Sequence, residues 1–324
     1  MKIYQEIKQF LSRCEAENKP AIIAIVGPTA SGKTALSLKI AHEINGEIIS
    51  ADSRQVYKYM DIGTDKLHES KMEGIKHHLI DIIDPSEQFT LSDYKRLAIK
   101  AINEIHRRKK IPILCGGTGL YINAIIQNYQ VPVVSPQYDL RQELARYYEE
   151  HGAQALHDML KERDPEAANQ IHPNNVTYVI RALEINIAGN QNKKNVTGEQ
   201  EFAVFVVGID WSREVLYERI NRRVDDLIGN GLLNEVKSLF MRGYNEKMPS
   251  MSSIGYQELI EFLSGNVTLE QAIENIKKNT RNYCKRQQTW FRRYRDIHWL
   301  DGQNLQEYLS KQSSRCRYSE KTGI

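Results

Sequence analysis

The chain has 324 residues, 41% of them hydrophobic, enough to bury one large core or two smaller ones. Its 44 Lys and Arg against 41 Asp and Glu leave a formal net charge of +3, which excludes a globally basic binder and requires any nucleic-acid surface to come from local clustering. No apolar run approaches the roughly 20 residues of a membrane span, the charged start Met1-Lys2-Ile3-Tyr4-Gln5-Glu6-Ile7 lacks a signal-peptide apolar block, and Cys14, Cys115, Cys284 and Cys316 stand apart without zinc or C-x-x-C spacing, as expected of reduced thiols in a cytoplasmic protein.

Residues 1–20 read as a short amphipathic lead-in helix. Ala21-Ile22-Ile23-Ala24-Ile25-Val26 is an apolar run suited to a buried parallel strand, and Ala35-Leu36-Ser37-Leu38-Lys39-Ile40-Ala41 has helical periodicity. Glu47 to Ala51 predicts a second strand, His77 to Ile82 a third, and Leu91 to Arg108 a helix capped by Thr90 or Ser92; Ile111 to Cys115 is a further buried strand. This strand–helix alternation implies a parallel sheet with right-handed crossovers. Pro132 and Pro136 interrupt the rhythm, the stretch from Asp139 to about Ala188 is helical and charged, and Gly189 to Asn195 is a polar break. Phe202 to Ile209 then returns to strand, from Arg213 the pattern is helical to about Arg295, and the tail after Gln312 reads as disordered. The expected fold is therefore an α/β, P-loop NTPase-like parallel sheet flanked by helices. The core takes 21–135 and 201–312 with its helical C-terminal part, and 136–200 form a helical insertion domain.

Between the first strand and its helix lies Gly27-Pro28-Thr29-Ala30-Ser31-Gly32-Lys33-Thr34, a G-x-x-x-x-G-K-[ST] phosphate loop in the right context on both sides. Its glycines let backbone N–H groups turn inward around a diphosphate, Lys33 adds a point charge, Thr34 offers its hydroxyl to Mg²⁺, and the following helix presents its positive end. A nucleotide hydrolase or kinase of this fold carries a strand ending in Asp or Glu that holds Mg²⁺ or orients the attacking group. Here the 111–115 strand ends instead in Gly116-Gly117-Thr118-Gly119-Leu120-Tyr121, a second glycine turn with a hydroxyl and no carboxylate. The carboxylate is Asp52, just past the second strand at the carboxyl edge where such sheets place ligands. A general base and a helix N-cap weigh about evenly for it on position alone.

The phosphate loop, the Asp52-Ser53 and Met60-Asp61-Ile62-Gly63-Thr64 block, and Gly116 to Tyr121 follow one another in an order that resembles the tRNA dimethylallyltransferases. Further matches are Arg181-Ala182-Leu183-Glu184, Arg219-Ile220 with Arg223-Val224, Gly231-Leu232 with Glu235-Val236, and Ser253-Ile254-Gly255-Tyr256. Thr280-Arg281, Lys285-Arg286-Gln287 and Thr289-Trp290 close the series, so the resemblance runs from about 21 to 301. No Cys/His finger follows the basic helix, as in bacterial-type members. The resemblance implies transfer of a dimethylallyl group from dimethylallyl diphosphate to the exocyclic amine of the adenosine 3′-adjacent to the anticodon, with the loop holding diphosphate although the same motif carries ATP-binding in other proteins. It assigns Asp52 as base and Thr118 as a hydroxyl at the reacting diphosphate or on the substrate side. It makes Gly27, Thr29, Ala30, Ser31, Gly32, Lys33 and Thr34 the diphosphate site, Thr34 also holding Mg²⁺, and Arg223 the second cationic clamp with Arg219 as fallback, one helical turn away.

The run from Lys277 to Arg295 contains no acid, and Lys278, Arg281, Lys285 and Arg292 form one basic stripe at helical spacing, suited to a phosphate backbone or to a solvated face. Tyr283, Trp290 and Phe291 either stack a splayed base or fill core, with core favoured for Phe291. The resemblance carries tRNA contact to Asp52, Ser53, Arg54, Gln55, Arg141, Arg181, Gly255, Tyr256, Arg281, Lys285, Arg286, Gln287, Trp290 and Arg292 of a monomeric enzyme that engages the anticodon stem-loop away from any membrane. Val176-Thr177-Tyr178 before Arg181 and Gln257 after Tyr256 depart from the basic or amide residues of many relatives. The rival readings are a P-loop small-molecule kinase using ATP, which leaves the basic helix unexplained, and a non-catalytic RNA-binding protein, against which intact Lys33, Thr34 and Asp52 stand.

Overall fold

The computed structural model describes residues 2–131, 137–189, 198–306 and 309. Pro132, Pro136, the 190–195 part of the polar break and the tail after 312 lie outside them. Among the described residues, those of Met1–Ile126 and Gln200–Ile324 form one compact unit and those of Gln127–Glu199 a second.

The first unit is built on one six-stranded sheet whose pairings are all parallel, in the order β3-β2-β4-β1-β5-β6. The strands are β1 (Ala21–Val26), β2 (Gly46–Ser50), β3 (His77–His78), β4 (Ile111–Gly116), β5 (Ala203–Asp210) and β6 (Ile297–Asp301). β1 lies between β4 and β5, which explains why every one of its residues is apolar and buried. Its alternate side chains feed two cores. Ile22, Ala24 and Val26 pack with Tyr94, Ile102 and Ile122 of α3 (Leu91–Arg107) and α4 (Gly119–Ile126). Ile23 and Ile25 pack with Leu36, Ile40 and Ile220 of α2 (Lys33–Ile44) and α8 (Arg213–Gly229). The lead-in helix α1 (Lys2–Ala16) joins this second face through Ile3 and Ile7, and Phe10 meets Phe205 with ring centroids 5.4 Å apart.

Local chemistry sets the boundaries. Between the two cap candidates the structure selects Thr90, whose side chain accepts from Asp93 N–H while the Asp93 carboxylate accepts from Thr90 N–H. The third strand is shorter than the expected 77–82. Leu79 and Asp81 take positive φ of 63° and 55°, which ends the extended run after His78. The edge strand β6 was not expected from sequence. It extends the sheet by pairing Ile297 to Asp301 with Val206 to Asp210.

Past β5, α8 is followed by α9 (Leu232–Met241), α10 (Tyr256–Leu263) and the long α11 (Leu269–Phe291). Val224, Leu232, Val236, Tyr256, Leu259 and Ile276 of these helices close over Val56, Tyr57 and Met60, so the helical bundle caps the segment leaving β2. The second unit is helical: α5 (Tyr138–Arg163, kinked at Gly152), α6 (Pro165–Gln170) and α7 (Val176–Ile187) share a core of Leu144, Leu156, Leu160, Val179 and Leu183.

Candidate active site

Three strand ends converge at the carboxyl edge of the sheet, where β1 runs into the phosphate loop, β2 into Asp52 and β4 into the second glycine turn. The last two are locked together. Ala51 N–H donates to Cys115 O at 2.8 Å, Ala51 O accepts from Thr118 N–H at 3.1 Å, and a Cβ on Gly116 would lie 2.2 Å from Ala51 O. Only glycine permits that approach. The lock brings Thr118 Oγ1 to accept from Ser53 N–H at 3.1 Å, so the turn bearing Asp52 and the turn bearing Thr118 are joined directly. The Asp52 carboxylate itself takes Arg54 N–H on Oδ1 at 2.8 Å.

Two cavities meet here. The first, of about 110 Å³, is lined by Lys33, Thr34, Ser50, Gln55, Cys115 and Gly117 among others, and the second, of about 300 Å³, by Ser53, Arg54, Ser252, Gly255, Thr280 and Arg286 among others. Thr29, Asp52, Thr64, Arg223 and Tyr283 line both. Asp52 therefore stands on a shared wall, with phosphate-loop chemistry on one side and a roomier chamber reaching the basic helix on the other.

Two cations, Lys33 and Arg223, and two carboxylates, Asp52 and Asp65, line the first cavity. Burial, with Arg223 adding to it, pushes the Lys33 ammonium down to about 8, a cost that an anionic ligand would remove. Its Nζ donates to Pro28 O at 2.7 Å. Ser31 is fully buried and its Oγ has no partner among the described residues, an orphaned donor inside the loop hollow. Arg223 Nη1 donates to Thr29 Oγ1 at 2.5 Å and its Nη2 lies 3.3 Å from Asp65 Oδ2. Arg219 does something else: its Nε donates to Ala30 O at 2.9 Å and its guanidinium lies 4.4 Å from the Trp211 ring centroid, while Trp211 Nε1 donates to Ser31 O at 3.0 Å. Arg219 thus braces the loop from behind, and Arg223 is the arginine that reaches the cavities. Thr34, the hydroxyl expected to meet Mg²⁺, is exposed, and among the described residues no group of three or more His, Cys, Asp or Glu is placed to hold a metal.

The residues expected at RNA divide. Ser53, Arg54, Gly255 and Arg286 line the second cavity, with Arg54 Nη1 donating to Pro249 O at 2.6 Å. Lys285 is exposed, Arg281 donates to Asn221 Oδ1 at 2.6 Å, and Arg292 lies 3.7 Å from Asp210. Gln55 turns into the first cavity, accepting from Ser50 Oγ and donating to Thr64 O. Arg141 and Arg181 of the second unit both bind the fully buried Glu184, whose carboxyl is held below its usual range despite burial by these guanidiniums. Two of the residues expected at RNA have buried side chains. The Tyr256 side chain is fully buried with its hydroxyl on Glu235, and Gln287 is buried between the two glycine turns. Trp290 packs against Gly119, where a Cβ would meet its ring at 2.3 Å, and Phe291 is core.

Sequence reasoning gave Thr64, Asp65 and Trp211 no role at the site and left Tyr283 between stacking a base and filling core. Tyr283 carries the strongest signal, an aromatic within the basic run; here its ring lines both cavities and burial, with the nearby Asp52 charge, pushes its hydroxyl up to about 12. Thr64 closes the Met60 to Thr64 block and Asp65 directly follows it, and nothing local distinguishes Trp211.

Comparison with known proteins gives one consistent result. The family model described as IPP transferase matches residues 55–294. A tRNA dimethylallyltransferase of Halalkalibacterium halodurans is 48% identical over 87% of this chain and 91% of its own length, and one of Clostridioides difficile is 45% identical over 87% and 92%. Among solved structures, the tRNA isopentenylpyrophosphate transferase from Bacillus halodurans superposes with a TM-score of 0.67 at 44% identity, covering 94% of this chain and 99% of that one. A eukaryotic dimethylallyltransferase acting on tRNA superposes at 0.76 and 32% identity, covering 92% and 77%. By its phosphate loop, its strand-end carboxylate and a likeness that spans nearly its full length, the chain belongs to the IPP transferase family of tRNA dimethylallyltransferases.

Proposed function

We propose that this protein transfers the dimethylallyl group of dimethylallyl diphosphate to the exocyclic amine of the adenosine 3′-adjacent to a tRNA anticodon, releasing diphosphate. The observation that carries this reading is Asp52 on the wall common to a phosphate-loop cavity holding Lys33 and Arg223 and a second, larger chamber. An adenine amine is a poor nucleophile because its lone pair is conjugated with the ring. Attack on the allylic carbon forms the N–C bond as the C–O bond to diphosphate breaks, and the amine proton must leave. The Asp52 carboxylate, steadied by Arg54 N–H, takes that proton, a role worth on the order of 10²–10⁴ in rate. Lys33, Arg223 and the loop amides neutralise the charge developing on the departing oxygen, and the Thr118 hydroxyl lies one hydrogen bond from the Asp52 turn. Mg²⁺ held by Thr34 would add a further positive charge to the leaving diphosphate.

The second cavity takes the acceptor. Its rim residues Arg54 and Arg286 suit an RNA backbone, and a base extracted from the anticodon loop at an unstacking cost of a few kcal/mol fills such a chamber. The protein acts as a monomer in the cytoplasm, where its tRNA substrate is found. Purified protein incubated with dimethylallyl diphosphate, Mg²⁺ and unmodified tRNA tests the proposal. Prenylated adenosine beside the anticodon is the expected product, whereas ATP-dependent phosphorylation of a small molecule with no RNA product would overturn it in favour of a kinase.

A further inference from the structure

Gln287 directly follows the exposed Lys285 and Arg286 in the basic helix, yet it is only 5% exposed. Its Oε1 accepts from Thr29 N–H of the phosphate loop at 2.9 Å, and its Nε2 donates to Gly117 O of the second glycine turn at 2.9 Å. We propose that Gln287 is a positioning residue that sets the separation of the two glycine turns, and so serves the donor diphosphate rather than the RNA. This inference rests on reading the first cavity as the donor site.

The chemistry of the contact is restrictive. One loop offers an N–H and the other a C=O, and a carboxamide presents an acceptor and a donor on separate atoms of the same terminus. A carboxylate satisfies Thr29 alone and a thioether neither. The partner is equally constrained, because a Cβ on Gly117 would lie 2.2 Å from Gln287 Nε2 and 3.5 Å from Gly27 O. The bond also removes Thr29 N–H from the amides that can face a phosphate. With Thr29 Oγ1 taken by Arg223, this residue becomes the joint at which α11 and α8 grip the loop. Thr118 directly follows Gly117, so a shift of either turn changes the distance between the Lys33 side of the diphosphate and the Thr118 hydroxyl. Displacements of about 1 Å in such arrangements cost on the order of a hundredfold in rate.

The test compares wild type with Gln287→Met, Gly117→Ala and Lys285→Ala. Affinity for inorganic pyrophosphate is read by calorimetry, affinity for unmodified tRNA by filter binding, and kcat and KM for each substrate separately. Gln287→Met leaves a buried N–H and a buried C=O unpaired, and is expected to weaken pyrophosphate about tenfold while leaving tRNA affinity within about twofold. Gly117→Ala attacks the same contact from the other side and is expected to show the same split, including where the methionine variant does not fold. In the double variant the two losses should combine to less than their product, because each removes the one contact. Lys285→Ala should show the opposite pattern. Loss of tRNA affinity with pyrophosphate unchanged, equal loss of both, or no change in either overturns the inference. Failure of the wild type itself to bind pyrophosphate would count against the donor site, a separate outcome.

Discussion

Glu235 of α9 touches no substrate cavity, yet its removal is expected to disturb both. Its Oε2 accepts from Asp61 N–H at 2.9 Å and Ile62 N–H at 2.7 Å, and its Oε1 from Gly63 N–H at 3.1 Å and the Tyr256 hydroxyl at 2.6 Å. One carboxylate therefore gathers three consecutive amides and a buried phenol. In Glu235→Ala, water replaces the bond to the exposed Asp61, but the half-buried Ile62 and Gly63 amides and the Tyr256 hydroxyl lose their acceptor. At about 1 kcal/mol or more for each unsatisfied group, the sum is about 3 kcal/mol. For a chain of 324 residues that lowers the melting temperature by roughly 4 °C. Tyr256→Phe, which loses one bond and leaves the carboxylate its amides, should cost about 1 kcal/mol. Thr64, next in sequence to Gly63, lines both cavities, so kcat should fall further than tRNA affinity. Differential scanning calorimetry with steady-state kinetics reads both effects. A Glu235→Ala melting point within about 1 °C of wild type, with Tyr256→Phe equally silent, would refute the reasoning.

Glu47, nearly buried beside Arg108, Lys110 and His78, has its carboxyl pulled down to about 2 by these partners against the opposing effect of burial. A folded pKa below the unfolded value gives stability that is present above about 4.5 and lost as pH falls towards 2. Because Arg108 and Lys110 are about a third exposed, the contribution is on the order of 2 kcal/mol, and the melting difference between wild type and Glu47→Gln should be full at pH 6 and shrink through that window. Replacing both Lys285 and Arg286 by Ala should reduce the slope of log tRNA affinity against log salt by about 1.4 and leave pyrophosphate binding unchanged. Equal slopes for variant and wild type would mean that these cations do not meet phosphate. Arg223→Ala should weaken pyrophosphate binding about tenfold or more, through loss of a charge-assisted contact. Arg219→Ala should act chiefly on melting temperature, since it binds a loop carbonyl and the Trp211 ring.

What the sequence makes legible here is what depends on local pattern. β1 is recognisable because a central parallel strand must be apolar on both faces, and the phosphate loop because its glycines and Lys33 have a fixed order. The return of the chain to the sheet at β5 follows from an equally apolar run. β6 escapes notice because an edge strand is half exposed and its Ile297-His298-Trp299-Leu300-Asp301 shows no alternation. The roles of Gln287 and Tyr256 escape for a different reason. Gln287 lies in the basic run and Tyr256 in a turn that the family likeness assigns to RNA, and only the fold reveals partners 258 and 170 residues away for the one and 21 for the other. Arg219 and Arg223 are equivalent on a helical wheel. They separate only when the phosphate loop, almost 200 residues earlier in the chain, is placed against them.

The central claim is that Asp52 performs chemistry at the wall between donor and acceptor, and single-turnover kinetics of Asp52→Ala tests it most directly. Prenyl transfer to unmodified tRNA should slow by about 10²–10⁴, while the affinities for pyrophosphate and for tRNA stay within about twofold of wild type. A variant that transfers the prenyl group at the wild-type rate, or one that is slow only because it no longer binds either substrate, would contradict the account.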